Sequence, residues 1–387
     1  MTAGPAPGRS KAGPYPLGES VDVPVGRGAV MKHLVVMAAG TGGHVIPGLA
    51  VAREMQARGW SISWLGTPAG MENKLVPPSG IAIDRIAFSG LRGKGLMHSL
   101  TGGLRLIGAF WSCFQIIRRR RTNAVLGMGG YVCFPGGVMA AALGKPLVLV
   151  NADASLLMSN RALLPVADRI AFGFDGEAAR KTRRAVVTGN PVRSEIEALP
   201  KPAERFAGRS GVLRVLVVGG SLGARVLNEC VPQALALIDA AQRPSVTHQT
   251  GGNNLAAVQA GYAQAQVEAE VLPFIDDMAA RLADCDVIVC RAGAVTVSEL
   301  CAAGVAAVLV PLIVSTTSHQ RDNAAWLAGQ GAGIHLPQGE LTARKLADML
   351  GGLTRETLLA MATKARALAM PKAAARVADQ IEAVVAA

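Results

Sequence analysis

Three stretches of this 387-residue chain combine glycine-rich backbone with side chains able to do polar chemistry. The longest runs from Cys290 to Ala324. After the apolar strand Val287–Val289, Arg291-Ala292-Gly293-Ala294 cannot continue a strand, and Thr296 to Leu300 open a helix that Gly304 stops. A helix start at a strand's carboxyl end offers unpaired N–H groups to an anion, and its dipole favours negative charge. The spacing puts Glu299 in the first turn, where a carboxylate is stabilised and can still accept hydrogen bonds from neutral hydroxyls. Amides for phosphates and a carboxylate for a ribose would together hold a nucleoside diphosphate. Taken alone, the loop is equally a capped α/β crossover.

The second stretch, Ala39-Gly40-Thr41-Gly42-Gly43-His44, follows the apolar strand His33–Ala38 and precedes a helix expected over Ile46–Arg58. His44 is expected to stand exposed in this loop beside a cleft, where an imidazole can exchange protons near neutral pH. The third, Gly127-Met128-Gly129-Gly130-Tyr131, follows the short strand Ala124–Leu126. Asp284-Cys285-Asp286 spells a metal-binding Asp-x-Asp, but directly before a strand Asp is ordinary turn chemistry. No metal ligand is assigned.

These loops need a frame that repeats strand, glycine loop and helix. The pattern starts at His33 and restarts at Leu213–Val218, followed by Gly219-Gly220-Ser221-Leu222-Gly223-Ala224 and a helix from Arg225. The expected class is α/β, two Rossmann-like doubly wound domains. The boundaries expected are residues 1–30 as a disordered Gly/Pro/Ala-rich extension, 31–193 as the first domain and 194–369 as the second. A polar, Pro-containing stretch up to Arg209 reads as the linker. Strand Ser61–Leu65 ends in Gly66-Thr67, without the acidic residue a dinucleotide ribose needs, which argues against a nicotinamide cofactor.

The net charge of +12 is unevenly spread. Through Ser194, 23 Lys and Arg face 9 Asp and Glu, giving +14; the remainder carries 16 against 18, giving −2. The first half should therefore meet an anionic surface. Within it, Phe88–Arg121 interleaves apolar side chains with Arg92, Lys94 and Arg105 and closes on Arg118–Arg121. That composition suits anionic lipid as well as a core helix with a basic end. Nucleic acid is disfavoured because stacking aromatics are few. The six cysteines lie mostly in apolar runs, none paired as C-x-x-C, as expected of buried thiols in a reducing compartment. No apolar run approaches the ~20 residues needed to span a bilayer.

The loops G-T-G-G-H, G-M-G-G-Y and G-G-S-L-G-A, in this order, resemble those of the MurG family of glycosyltransferases. So do T-G-N-P-V-R (Thr188–Arg193), F-I-D-D-M (Phe274–Met278), the stretch Cys290–Leu300 and the closing Q-x-x-N-A (Gln320–Ala324). The resemblance runs from about Lys32 to the end. It implies a GT-B fold, two Rossmann-like domains facing a cleft, with the last helix, about 370–387, packed back on the first domain. It implies that the second domain holds UDP-GlcNAc. There Ser221 and Arg193 would meet the pyrophosphate, Ile275 would read uracil through its backbone, and Ala294, Val295, Thr296, Val297 and Ser298 would supply amides. Glu299 would hold the ribose, and His319, Gln320 and Asn323 would read the sugar. Thr41, Gly42, Gly43, His44 and the Gly129-Gly130-Tyr131 loop would bind the acceptor pyrophosphate. The sequence departs from many relatives at Val150-Asn151-Ala152-Asp153, where they read His-Glu-Gln-Asn.

The family reaction is inverting: the muramyl 4-hydroxyl of lipid I displaces UDP and gives lipid II for peptidoglycan. It needs a base near the hydroxyl and charge stabilisation at the leaving diphosphate. His44 is the first choice of base and Asp153 the second. Helix amides and Arg193 can serve the diphosphate, so no cofactor and no essential divalent cation is expected. Expected partners are UDP-GlcNAc, lipid I, the anionic inner-membrane surface from its cytoplasmic face, and cell-wall synthesis proteins, with no nucleic acid. The competing readings are a UDP-GlcNAc 2-epimerase or other GT-B enzyme, and a catalytically silent nucleotide-sugar-binding adaptor at the membrane.

Overall fold

The run His33–Ala38 alternates its side chains between two faces, and both faces are covered. Leu34, Val36 and Ala38 join a cluster with Val45, Leu49 and Met55, while Val35 and Met37 join another with Leu65, Ile117 and Leu149. A strand buried on both sides has to be apolar throughout, which is the condition of a parallel sheet inside helical layers. The same holds for Arg214–Val218, where Val215 and Val217 face one cluster and Leu216 the other. The computed structural model describes residues 31–387 except 41, 89–95, 221 and 313–317.

The first half runs β1 (His33–Ala38), α1 (Gly42–Ala57), β2 (Ser61–Gly66), α2 (Glu72–Leu75), β3 (Ala82–Arg85) and α3 (Leu96–Arg119). It continues with β4 (Ala124–Gly129), α4 (Cys133–Ala142), β5 (Leu147–Asn151), α5 (Met158–Leu163), β6 (Arg169–Phe172), α6 (Glu177–Lys181) and β7 (Ala185–Val187). Two short helices follow, α7 (Ser194–Glu197) and α8 (Pro202–Phe206), where the sequence suggested a plain linker. Phe206 is buried among the residues of the second half, so this stretch is packed rather than loose.

The second half runs β8 (Arg214–Val218), α9 (Arg225–Ala236), β9 (Ser245–Gln249), α10 (Leu255–Gln264), β10 (Glu270–Leu272) and α11 (Met278–Asp284). Then come β11 (Val287–Cys290), α12 (Ala294–Ala303), β12 (Ala306–Leu309), α13 (His319–Gly329), β13 (Ile334–His335), α14 (Ala343–Gly351), α15 (Arg355–Ala367) and α16 (Ala373–Ala386).

The sheets are ordered β3-β2-β1-β4-β5-β6-β7 and β10-β9-β8-β11-β12-β13, and every strand pairing is parallel. The order reverses between β1 and β4 in one sheet and between β8 and β11 in the other. Such switch points open a crevice at the carboxyl ends of the strands. The glycine loops after β1, β4 and β8 and the loop after β11 all lie there.

The chain ends by returning to its beginning. Val377, Ala378 and Ile381 of α16 are buried in the cluster that holds α1. Arg58, at the end of α1, donates to Asp379 and Glu382 at 2.7 Å each and to the Ala375 carbonyl.

Two helix starts differ from the sequence reading. Helix α1 begins at Gly42, so His44 lies inside its first turn rather than in an open loop. Helix α12 begins at Ala294, capped by the extended Gly293, so Glu299 is in the second turn and not the first. For α12 the boundary residue is Gly293, which offers no capping side chain to signal the start.

Candidate active site

The loop after β5 in the first half meets the loop after β11 and the start of α13 in the second across one seam. Asn323, fully buried at the start of α13, donates to Asp153 Oδ1 at 2.8 Å and to the Ala292 carbonyl at 3.0 Å. Its own oxygen accepts from the Ala154 N–H at 2.8 Å. His319 Nδ1 lies 3.2 Å from Ser155 Oγ. Asn190, also buried, donates to the Ala152 carbonyl and to Ser298 Oγ. The 152–155 loop of the first half is thus held to α12 and α13 of the second.

On the first side, the His44 ring packs against Gly129, where a Cβ would fall 2.6 Å from its Cδ2. Only glycine leaves the imidazole this position. The His44 pKa is lowered chiefly by burial, which outweighs the Asp153 carboxylate and the Ala39 carbonyl; His319 adds to the lowering. Its Nδ1 is buried without an aligned hydrogen-bond partner. The ring is therefore neutral at physiological pH, the form a base requires. Gly43 and Tyr131 are exposed beside it and Gly42 is half-buried. Thr41 lies outside the described residues.

On the second side, Arg193 Nε donates to Glu299 Oε1 at 2.9 Å. Burial raises the Glu299 pKa, and Arg193 opposes it. Arg193, more than the helix dipole, is what opposes burial and favours the charged carboxylate, since Glu299 is a turn too far into α12 for the dipole to act fully. The Val297 N–H already donates to Gly293, so the unpaired first-turn amides are those of Ala294, Val295 and Thr296. Val297 and Ser298 are therefore withdrawn from the amide set that the sequence proposed. Gln320 accepts from the Leu312 N–H at 2.9 Å. Ile275 is buried while Phe274 beside it is exposed. Ser221 lies outside the described residues.

The Asn323 side chain is engaged by three protein partners and not open to a sugar, which corrects its expected role. Its burial follows from contacts with residues some 170 positions earlier, which sequence spacing could not reveal. At the departure from the family pattern, Asn151 is buried. It donates to the Asp153 and Ser155 carbonyls and accepts from the Leu157 N–H, so it shapes the loop that presents Asp153. Asn190 was visible only as a letter in T-G-N-P-V-R. The Asp-x-Asp is claimed by arginines: Asp286 accepts from Arg209 and Arg355, and Asp284 from Arg214. Among the described residues no group of His, Cys, Asp and Glu side chains could hold a metal ion.

Two doubly wound domains joined at the carboxyl ends of their strands, one presenting helix amides and an Arg–Glu pair and the other a neutral histidine, define a GT-B nucleotide-sugar transferase. Residues 34–172 match the glycosyltransferase family 28 N-terminal domain, and residues 214–381 match the family's C-terminal domain. The chain is 73% identical over 359 residues, 92% of its length and 98% of the relative's, to the UDP-N-acetylglucosamine--N-acetylmuramyl-(pentapeptide) pyrophosphoryl-undecaprenol N-acetylglucosamine transferase of Methylibium petroleiphilum. It is 65% identical to the Chromobacterium violaceum protein of the same name, over 90% of this chain and 97% of that one. Among solved structures it resembles Acinetobacter baumannii MurG at 38% identity and a TM-score of 0.80, covering 91% of this chain and 99% of the other. The chain belongs to glycosyltransferase family 28, in its MurG family. A UDP-GlcNAc 2-epimerase from Neisseria meningitidis, at 12% identity and a TM-score of 0.62, shares the fold alone.

Proposed function

We propose that the chain transfers GlcNAc from UDP-GlcNAc to the muramyl 4-hydroxyl of lipid I, with inversion at the sugar C1. The observation that carries this reading is the seam itself: the 152–155 loop, whose Asp153 acts on a neutral histidine of the first domain, is held to α12 and α13, and α12 carries a free helix start and the Arg–Glu pair suited to a nucleoside diphosphate. The 4-hydroxyl oxygen forms the new bond to C1, the C1–O bond to UDP breaks, and His44 takes the hydroxyl proton. Asp153 is held by Asn323 where it favours the charged imidazolium that results. Arg193 and the Ala294–Thr296 amides meet the departing diphosphate, and Glu299 holds the ribose. Because cationic and N–H groups already serve the diphosphate, transfer should persist in excess chelator.

The membrane is read from α3. Ala109, Cys113, Ile116 and Ile117 face the core, while Ile107 and Trp111 stand exposed on another face. Trp111 stacks on Phe114 at 5.5 Å, and the Arg118 guanidinium lies over the Phe114 ring. An outward stripe of apolar rings and a cation suits an anionic lipid interface that would present lipid I. No described helix is long and apolar enough to cross a bilayer. The test is incubation with radiolabelled UDP-GlcNAc and a short-chain lipid I analogue. Label in a β-linked disaccharide is the expected result. UDP-ManNAc without acceptor would point to epimerisation instead, and binding without turnover to an adaptor.

A further inference from the structure

One buried carboxylate has no part in the transfer chemistry described above. Glu72, at the start of α2, is fully buried. Its Oε2 accepts the Gly40 N–H at 3.0 Å, and its Oε1 accepts both the N–H and the hydroxyl of Thr67 at 2.8 Å. The Met71 N–H donates to the Gly40 carbonyl at 3.0 Å, so the 67–72 turn grips Gly40 by both of its polar groups. Space for the carboxylate is made by two glycines. A Cβ on Gly66 would lie 2.7 Å from Glu72 Cγ, and one on Gly70 would lie 1.9 Å from Oε2.

Gly40 stands where the first and second glycine loops touch. A Cβ on Gly130 would lie 2.6 Å from the Ala39 carbonyl, and the His44 ring rests on Gly129. Fixing Gly40 therefore fixes the entry to α1, the contact between the loops, and the seat of His44. We infer that Glu72 is the positioning residue for this pair of loops, holding them in register so that the Gly42–His44 edge faces the acceptor. The inference rests on the reading that this edge receives the lipid-linked pyrophosphate.

A carboxylate suits the task in a way its amide does not. The groups that meet the Glu72 carboxylate all donate to it, and a carboxylate accepts from each. Burial raises its pKa, but the hydrogen bonds from Thr67, its own backbone N–H and Gly40 outweigh burial and keep it ionised. In Glu72→Gln either the Gly40 or the Thr67 N–H must face an NH2 whichever way the amide turns.

The test compares three variants with the wild type. Glu72→Gln is expected to lower kcat/KM for the lipid I analogue by roughly tenfold or more, the size of one lost charged hydrogen bond, with UDP-GlcNAc affinity unchanged. It should also move the His44 ring pKa, read by NMR, up towards the ordinary imidazole value, because a loosened α1 start admits water to the ring. Asn73→Ala is the control: the Asn73 side chain braces the same turn by donating to the Thr67 and Gly70 carbonyls and accepts from Arg85, while the Glu72 carboxylate bonds Gly40 and Thr67. It should lose stability without either effect. If Glu72→Gln does not fold, Gly70→Ala carries the same test, since its methyl pushes the carboxylate off Gly40. Acceptor kinetics and a His44 pKa in Glu72→Gln, or in Gly70→Ala where it stands in, equal to those of Asn73→Ala would overturn the inference. Wild-type protein inactive on the analogue would overturn the acceptor reading instead, while the NMR comparison would still decide the role of Glu72.

Discussion

His44 and Glu299 are both drawn by burial towards their neutral forms, with opposite consequences. For His44 the neutral form is the active base. Its pKa lies below the ordinary imidazole value of 6.5, so kcat/KM should hold constant through neutrality and fall only as pH drops through that lowered pKa. An acid limb centred above 6.5 would contradict the buried ring. His44→Ala should reduce turnover by ~100- to 10,000-fold while UDP-GlcNAc binds as before, because the donor groups lie on the other domain. If turnover survives and Asp153→Asn abolishes it, Asp153 is the base. For Glu299 the neutral form is the wrong one, and Arg193 is what opposes it. Glu299→Ala should weaken UDP-GlcNAc roughly ten- to a hundredfold in calorimetry, the value of a hydroxyl–carboxylate bond of ~1.5–3 kcal/mol. Unchanged affinity in the folded variant would remove the ribose role. Both residues were legible in the sequence because each follows a glycine-containing break after an apolar strand, His44 in the first turn of α1 and Glu299 in the second turn of α12. Glu72 was not, since its partner Gly40 is 32 residues away and no motif joins them.

At the scale of elements, strands were easier to read than helix starts. The strands β1, β8 and β11 are doubly buried and so announce themselves as apolar runs, whereas α1 begins at Gly42 and α12 directly after Gly293, and a glycine marks a break without saying on which side the helix lies. Helix α3 shows what composition alone misses. The basic cluster at its end divides in three dimensions: Arg119 and Arg120 both reach Asp84, which is nearly buried, while Arg118 and Arg121 are exposed. Changing the whole cluster would therefore mix two effects. Trp111→Ser with Arg118→Ser should weaken sedimentation with anionic vesicles strongly at low salt and less at high salt, each basic residue contributing ~1 kcal/mol within a Debye length. Arg120→Ser should instead lower thermal stability by leaving Asp84 short of a partner, an effect of ~1–3 kcal/mol. Equal sedimentation of the double variant and the wild type would move the membrane face away from α3.

At the scale of the whole molecule, the order of elements was legible and the seam between the halves was not. Alternating strands and helices predict two doubly wound sheets, but they do not say which loop of one touches which helix of the other. That is decided by pairs such as Asn190 with Ser298, Trp326 with Phe174 at 4.5 Å, and Asn323 with the 153–154 peptide. The Asn323 contact is the one whose chemistry can be inverted without changing shape. Asn323→Asp places a carboxylate oxygen in the space from which an amide now donates to Asp153 at 2.8 Å. Two carboxylates at that separation cannot both stay charged and unpaired, so the seam should open at neutral pH. The expected result is a larger radius of gyration by small-angle scattering and reduced turnover. Acidification that protonates one carboxylate should restore a shared hydrogen bond, and with it the wild-type scattering profile. Identical scattering at neutral pH would show that Asn190 and the Trp326–Phe174 contact hold the halves without Asn323.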